Sequence, residues 1–166
     1  EWFEANAMRY DSYDRQGPKI FLGEYAAQSV AIVSPDNKNT WKTALAEAAF
    51  MTGLERNADV VNMTSYAPIM GHVDAWQWSP NLIWFDNLRS VKTANYEVQK
   101  LFATQSGADL LRITYDGKPV AGQQQLYASA IKDSASNTLI LKVANTADKQ
   151  QSIAFTVPTR HASLPT

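Results

Sequence analysis

The chain has 166 residues, of which 45% are hydrophobic and 19% charged, and its formal net charge is −1. This composition is typical of a globular protein, and so small a charge argues against a nucleic-acid partner and a polybasic membrane contact, because both need a basic surface. Cysteine is absent, so disulfide bonds, thiolate metal sites and cysteine nucleophiles are excluded, and no apolar run reaches the ~18–20 residues of a membrane-spanning helix.

Helical and strand patterns alternate over residues 1–104. A three- and four-residue spacing predicts an N-terminal helix that ends before Gly17-Pro18. The face of this helix is predicted to comprise Trp2, Phe3, Asn6, Tyr10 and Tyr13. The apolar run 19–26 then predicts a buried strand, and the run 60–66 predicts a second one.

A further helix is predicted between these two strands. Asn39 or Thr40 can cap its start, and its pattern ends near Asn57. Its predicted buried stripe comprises Trp41, Ala44, Leu45, Ala48 and Thr52. A last helix follows a cap at Thr93. The order α-β-α-β-α, with buried strands flanked by helices, predicts a parallel sheet.

After residue 104 the pattern changes to a two-residue period. We place a boundary there between two domains, 1–104 and 105–166, because polar residues and a glycine end the last helical pattern. Asp116-Gly117 is a hairpin-turn signal. Strands are predicted near 111–115, 126–131, 138–144 and 152–157. So few antiparallel strands favour an incomplete β-sandwich.

One carboxylate stands where parallel α/β folds place their active sites. Gly23-Glu24-Tyr25-Ala26-Ala27 puts Glu24 at the carboxyl end of the first predicted strand. A carboxylate there is expected to be desolvated, so it needs hydrogen-bond partners or a function. Glu24 is therefore a candidate catalytic residue, and the alternative is a structural glutamate bonded to neighbouring loops.

The segment 66–87 is predicted to be a long loop rich in aromatic and amide side chains. Aromatic faces stack on the C–H surfaces of sugars, and amides and carboxylates bind the hydroxyl groups, so this mixture favours a carbohydrate cleft. The residues concerned are Tyr66, His72, Asp74, Trp76, Gln77, Trp78, Asn81, Trp84 and Phe85. The alternative is a loop that packs its own hydrophobic cluster on the scaffold.

No metal or cofactor site is predicted. His72-Val73-Asp74 offers two ligands, but no third ligand stands at a useful spacing. The sequence also has no phosphate-binding loop, no Gly-rich dinucleotide turn and no nucleophilic serine elbow.

Several strings stand in the chain in a characteristic order. They are residues 9–15, 17–19, 23–27, 46–57, 65–68, 76–78 and 82–87, which include Gly23-Glu24-Tyr25-Ala26-Ala27 and Trp76-Gln77-Trp78. In this order they resemble the late part of glycoside hydrolase family 51, the α-L-arabinofuranosidases. The resemblance covers almost the whole chain and is densest up to residue 102.

The resemblance implies a fold and a site. The family has a (β/α)8 TIM barrel followed by a β-sandwich, so this chain would supply the last two βα units of the barrel and most of the sandwich. The family nucleophile stands at the end of the seventh strand, which is the position of Glu24. Its acid/base glutamate lies upstream, on the fourth strand, and no residue of this chain matches it. Tyr66, Trp76 and Trp78 would border the sugar subsites.

The resemblance also implies a function. The family releases terminal arabinofuranosyl units from arabinan and arabinoxylan, with retention of anomeric configuration. Because a barrel needs about 250 residues and all eight strands, the chain is expected to be a fragment that is inactive without the N-terminal part of the same enzyme. Open strand edges favour a homo-oligomer, and a periplasmic or secreted location is favoured. The alternative is a non-catalytic carbohydrate-binding or structural accessory module.

Overall fold

A helix joins two parallel strands in the N-terminal part of the structure, a computed structural model that describes residues 2–157. The elements in order are α1 (Trp2–Ala5), β1 (Ile20–Tyr25), α2 (Trp41–Arg56) and β2 (Val61–Tyr66). β1 and β2 pair in parallel and α2 connects them, so the predicted parallel pair is confirmed.

The predicted N-terminal helix is wrong in its length. Only the four residues of α1 are helical. Beyond them, backbone N–H groups, such as those of Arg9, Asp11 and Tyr13, reach the carbonyl three residues earlier, so the chain continues as successive tight turns. These turns pack closely on α2, since a Cβ at Gly53 would lie only 2.0 Å from the carbonyl oxygen of Ala7.

The helix α2 begins and ends where its sequence signals predict. Thr40 Oγ1 accepts the N–H of Thr43 at 3.1 Å, and Thr43 Oγ1 accepts the N–H of Thr40 at 2.9 Å, which is a reciprocal capping box. Asn57 caps the other end. The predicted stripe is wrong at Trp41, which is exposed at the helix start. The buried face is wider than predicted and reaches Leu54.

The two parallel strands are covered on one face only. Ile20 and Leu22 pack against the core cluster that contains Phe50 of α2. Phe21 and Met63 are paired across the strands, and they are 58% and 57% exposed. The expectation of strands buried on both faces is therefore wrong for residues 2–157, because the helices of this part lie on one side of a two-stranded sheet.

The predicted loop 66–87 contains short strands. β3 (Met70–His72) pairs in parallel with β4 (Ile83–Phe85), which pairs antiparallel with β5 (Ser90–Lys92). Each is only three residues long, too short to show a period in the sequence. α3 (Ala94–Thr104) follows, and Thr93 caps it as predicted by accepting the N–H of Tyr96 at 3.2 Å.

The C-terminal strands are antiparallel. They are β6 (Asp109–Leu111), β7 (Thr114–Tyr115), β8 (Lys118–Pro119), β9 (Leu126–Asp133) and β10 (Thr138–Asn145). β10, β9 and β6 form one sheet in that order, and β7 and β8 form a hairpin whose turn residues Asp116 and Gly117 have φ of 50° and 75°. The strand predicted at 152–157 is wrong, because no strand forms over these residues in the described part of the chain.

The antiparallel sheet packs on α2. Tyr127 and Ala144 form a buried cluster with Ala49 of that helix. The division into domains 1–104 and 105–166 stays a prediction, and residues 158–166 lie outside the described part. None of the helices within residues 2–157 combines the length and apolar character needed to cross a bilayer.

Candidate active site

Glu24 lies next to the carboxyl end of β1, at an irregularity in the strand pairing. Leu22 pairs with Thr64 and Tyr25 with Tyr66, so three steps along β1 match two along β2. The extra residue is a bulge, a feature that is over-represented beside active sites. The side chain of Glu24 is exposed, so the expected desolvation of this carboxylate is wrong for the described part of the chain.

Glu24 lines a groove of about 1020 Å³. The walls of this groove come from the start of the chain, the segment after β1 and the first turns of α2; they include Trp2, Phe3, Tyr25, Gln28, Thr40 and Thr43. The groove therefore combines an accessible carboxylate with aromatic and hydroxyl-bearing side chains.

The buried side chain of Asn37 organises the segment that follows β1. Its Oδ1 accepts the N–H of Val30 at 2.8 Å, and its Nδ2 donates to the carbonyl of Ala31 at 2.8 Å. Ser79 Oγ donates to the Asn37 carbonyl at 2.6 Å, which joins this segment to the aromatic stretch 66–87. One wall of the groove is thus held by buried hydrogen bonds.

A buried carboxyl group lies behind the same strand end. Glu47 of α2 is 0% exposed, and its Oε1 accepts the N–H of Ala27 at 2.8 Å. Burial raises the pKa of Glu47 to about 7, partly offset by the Ala27 N–H and by the polar groups of Asn95 and Tyr66. Sequence reasoning missed this residue. The available signal was an acidic side chain three residues after Ala44, a helical spacing that places it beside the predicted buried stripe.

Tyr66 lies in the interior of the described structure. Its ring packs with Tyr25, at 5.8 Å between ring centroids, and with Leu82. Burial, together with the nearby Glu47 carboxyl, raises the pKa of Tyr66 above its ordinary value. The hydroxyl group of this predicted sugar contact therefore lies within a buried polar cluster.

Trp76 and Trp78 remain accessible, at 39% and 50% exposure. Trp76 packs edge-on against Trp84, at 6.1 Å between centroids. Trp84 is held by a 3.1 Å hydrogen bond from its Nε1 to Asn39 Oδ1, and Asn81 Nδ2 donates to the Trp78 carbonyl at 2.6 Å. The stretch thus forms its own aromatic cluster and still presents two indole surfaces.

The structure does not gather all four predicted site residues around one groove. Among residues 2–157, neither Tyr66 nor either of these two tryptophans lines the groove that contains Glu24. Tyr66 reaches the groove through Tyr25, the wall residue that its ring packs against, whereas the tryptophan stretch is linked to the groove through Ser79 and Asn37.

The structure gives no metal cluster in its described part. No group of three or more His, Cys, Asp and Glu within residues 2–157 is placed to hold a metal ion. His72 instead accepts the N–H of Asp74 on its Nδ1 at 3.2 Å and packs edge-on against Phe85.

Relatives of known name share both sequence and structure with this chain. It is 58% identical over 106 residues, 64% of its length, to an extracellular exo-α-L-arabinofuranosidase of Streptomyces chartreusis. It is 37% identical over 139 residues, 82% of its length, to α-L-arabinofuranosidase 1 of Arabidopsis thaliana. The chain spans 12% and 19% of the length of these two relatives.

A solved structure and a family model agree with these relatives. An arabinose-bound GH51 α-L-arabinofuranosidase superposes with a TM-score of 0.82 at 37% identity, over 90% of this chain and 25% of that one. Residues 23–164 match the family model described as the α-L-arabinofuranosidase C-terminal domain. The match begins one residue before Glu24, within β1, and includes α2, β2, the aromatic stretch and the antiparallel sheet. Sequence, fold and family model together place this chain in the α-L-arabinofuranosidase C-terminal domain family, within GH51.

Proposed function

We propose that this chain is part of a retaining α-L-arabinofuranosidase in which Glu24 is the nucleophile. The observation that carries the proposal is the position of Glu24: an exposed carboxylate at the carboxyl end of a parallel strand, beside a bulge and inside a groove. Catalytic residues of TIM-barrel enzymes stand at that end of the strands.

The chemistry follows from two carboxyl groups. Glu24 attacks the anomeric carbon while a second carboxylic acid protonates the leaving oxygen, so one C–O bond forms on the enzyme as the glycosidic bond breaks. Water, deprotonated by the second group, then releases arabinose with its configuration retained. The two carboxyl groups need a separation of ~5–5.5 Å. We assign the second group to another part of the complete enzyme.

The uncovered sheet face supports a role within a larger barrel. Phe21 and Met63 project bulky apolar side chains from the face that the helices leave open. Barrel interiors are packed with layers of such side chains. We therefore propose that β1, α2 and β2 belong to the last two βα units of a (β/α)8 barrel, with residues 105–166 in the sandwich that follows.

The proposed substrates are terminal α-L-arabinofuranosyl units of arabinan, arabinoxylan and related oligosaccharides. The arabinose-bound neighbour supports this sugar. Trp76 and Trp78 would offer stacking surfaces at the border of the sugar subsites, and the buried Tyr66 would act through Tyr25, the groove residue that it packs against. We propose export to the periplasm or medium, because the Streptomyces chartreusis relative is extracellular by name.

The nucleophile assignment is tested in the complete enzyme that contains this chain. Glu24→Gly should abolish turnover of an aryl α-L-arabinofuranoside, and added azide should restore it by attacking the glycosyl carbon in place of the missing carboxylate. The product would be an arabinofuranosyl azide of inverted configuration. Glu97→Gln, at an exposed position of α3, is the matched control and should leave turnover unchanged.

Two results would overturn this assignment. Turnover by Glu24→Gly at the parent rate without azide would remove Glu24 from the chemistry. If the parent protein hydrolysed no arabino-oligosaccharide, and the parent and Glu24→Gln bound these oligosaccharides equally well, the chain would instead belong to a carbohydrate-binding module.

A further inference from the structure

Two hydrogen bonds restrain the segment directly after Glu24, one at Tyr25 and one at Ala27. The bulge between Leu22 and Tyr25 takes Glu24 out of the regular pairing with β2. Directly after it, the Tyr25 hydroxyl donates to Gln99 Oε1 at 2.9 Å, and the Ala27 N–H donates to Glu47 Oε1 at 2.8 Å. These side-chain hydrogen bonds therefore add to a backbone pairing that is interrupted at Glu24 and resumes at Tyr25, whose carbonyl accepts the N–H of Ala67 at 3.3 Å.

Packing alone does not account for a glutamate at position 47. Its buried neighbours on α2 are mostly apolar, among them Ala44, Ala46, Ala49 and Phe50, and the other polar residues buried on this helix are the uncharged Thr43 and Thr52. Transfer of a carboxyl group from water to such a place is costly unless it makes specific hydrogen bonds. The bond to Ala27 is a specific one, and it ends three residues after Glu24.

The surroundings of Glu47 are built from polar groups on three other elements. Tyr25 of β1 and Tyr66 of β2 are the titratable groups that face it, and α3 contributes the amides of Asn95 and Gln99. Within residues 2–157, the Tyr66 hydroxyl, Asn95 Nδ2, Gln99 Nε2 and Glu47 Oε2 are buried without a direct hydrogen-bond partner. The unpaired polar groups of Tyr66, Asn95 and Gln99 therefore surround the Glu47 carboxyl group.

We propose that Glu47 is the positioning residue of Glu24: by holding the Ala27 N–H, it fixes the backbone on which Glu24 leaves β1. This inference rests on the proposed role of Glu24 as the nucleophile. Glu47 does not touch the substrate. It acts through the peptide segment 24–27, whose placement sets the distance from the Glu24 carboxylate to the anomeric carbon.

The direct test is nuclear magnetic resonance on the complete enzyme that contains this chain, with isotope labels on its alanine and glutamate amides. Glu47→Leu should move the amide resonances of Ala27 and Glu24, whereas Glu47→Gln, which keeps an acceptor oxygen, should restore them to near their parent positions. Glu97→Gln, at an exposed position of α3, is the control and should leave both resonances in place. A folded Glu47→Leu enzyme with an unmoved Glu24 amide would overturn the proposal.

A titration keeps the test decisive if Glu47→Leu fails to fold. In the parent enzyme the Ala27 and Glu24 amides should shift together with a midpoint near pH 7, because burial raises the pKa of Glu47 to about 7. The same titration should be absent from Glu47→Gln. Amides that do not respond, or that respond equally in Glu47→Gln, would contradict the proposal.

Kinetic measurements on the complete enzyme test whether Glu47 affects catalysis. Glu47→Leu should lower kcat by about 10²-fold and leave KM nearly unchanged, since a displacement near 1 Å costs this much in rate. Glu47→Gln should retain most of kcat. Equal losses in the two variants would contradict positioning through the acceptor oxygen. If Glu24→Gln proved fully active, the proposed function would fail, and the resonance shifts would still report whether Glu47 holds this segment.

Discussion

Lys142 of β10 forms a salt bridge with Glu55 of α2, and both side chains are largely buried. The Ser129 hydroxyl of β9 donates to the other carboxylate oxygen of Glu55, and the Lys142 ammonium also lies 4.7 Å from the centroid of the Phe102 ring. A single glutamate in the last turn of α2 thus binds two strands of the antiparallel sheet.

Removal of one partner from this pair should destabilise the chain. Lys142→Met leaves the Glu55 carboxylate buried without its cation, so we expect a loss of roughly 2–4 kcal/mol in the free energy of unfolding. The double variant Glu55→Leu, Lys142→Met should recover part of that loss, because it buries no unpaired charge. Urea denaturation measures both. If the free energy of unfolding of Lys142→Met lay within about 0.5 kcal/mol of the parent value, this expectation would be contradicted.

Stability should fall as the pH rises through the titration of Glu47. The folded-state pKa of this group is about 7, above its ordinary value of 4.5, so between these pH values the folded chain binds more protons than the unfolded chain. The loss should approach about 1.4 kcal/mol per pH unit in this window and level off above pH 7. Glu47→Gln should remove it. Chemical denaturation at a series of pH values provides the measurement.

Surface carboxylates give a pH dependence of opposite sign at lower pH. Hydrogen bonds from backbone and side-chain donors lower the pKa of Asp86 and of Asp133, so stability from these groups is lost only as the pH falls below their ordinary range. The difference between the parent and Glu47→Gln isolates the buried group. Parallel stability curves for the two proteins between pH 4.5 and 7 would show that Glu47 does not titrate as described.

The 166-residue chain alone should not hydrolyse an aryl α-L-arabinofuranoside. General acid catalysis contributes typically 10²–10⁴-fold, and in our proposal another part of the complete enzyme supplies that group. The comparison is between the chain and the complete enzyme at equal molar concentration. Clear turnover by the chain, abolished by Glu24→Gln, would refute the proposal that the second carboxyl group lies elsewhere.

The open face of the two-stranded sheet should make the isolated chain self-associate. Phe21 and Met63 are both more than half exposed on that face. Contiguous apolar surface and unpaired strand edges both favour association. Light scattering should report oligomers at micromolar concentrations, and Phe21→Asn with Met63→Asn should reduce them. A monodisperse monomer of the parent chain would contradict this prediction.

Local features of the sequence predicted much of the fold, because they act over a few residues. The caps at Thr40 and Thr93 depend on hydroxyl groups three residues from the N–H groups they bind. The Asp116-Gly117 turn depends on positive φ angles that these residue types tolerate. Strand periodicity likewise located β1, β2, β9 and β10 to within one or two residues of their observed bounds.

Features that depend on distant partners came only from the tertiary structure. The strands β3 to β5 exist because three segments pair across the stretch 66–92, and the run 152–157 has a strand pattern but forms no strand in the described part. The burial of Glu47 follows from the packing of α2 against the ends of β1 and β2 and against α3, and the spacing of Glu47 from Ala44 alone does not establish it. The sequence by itself determined the family and the candidate nucleophile, whereas the tertiary structure decided what supports Glu24, because that support is a hydrogen bond between residues 20 positions apart.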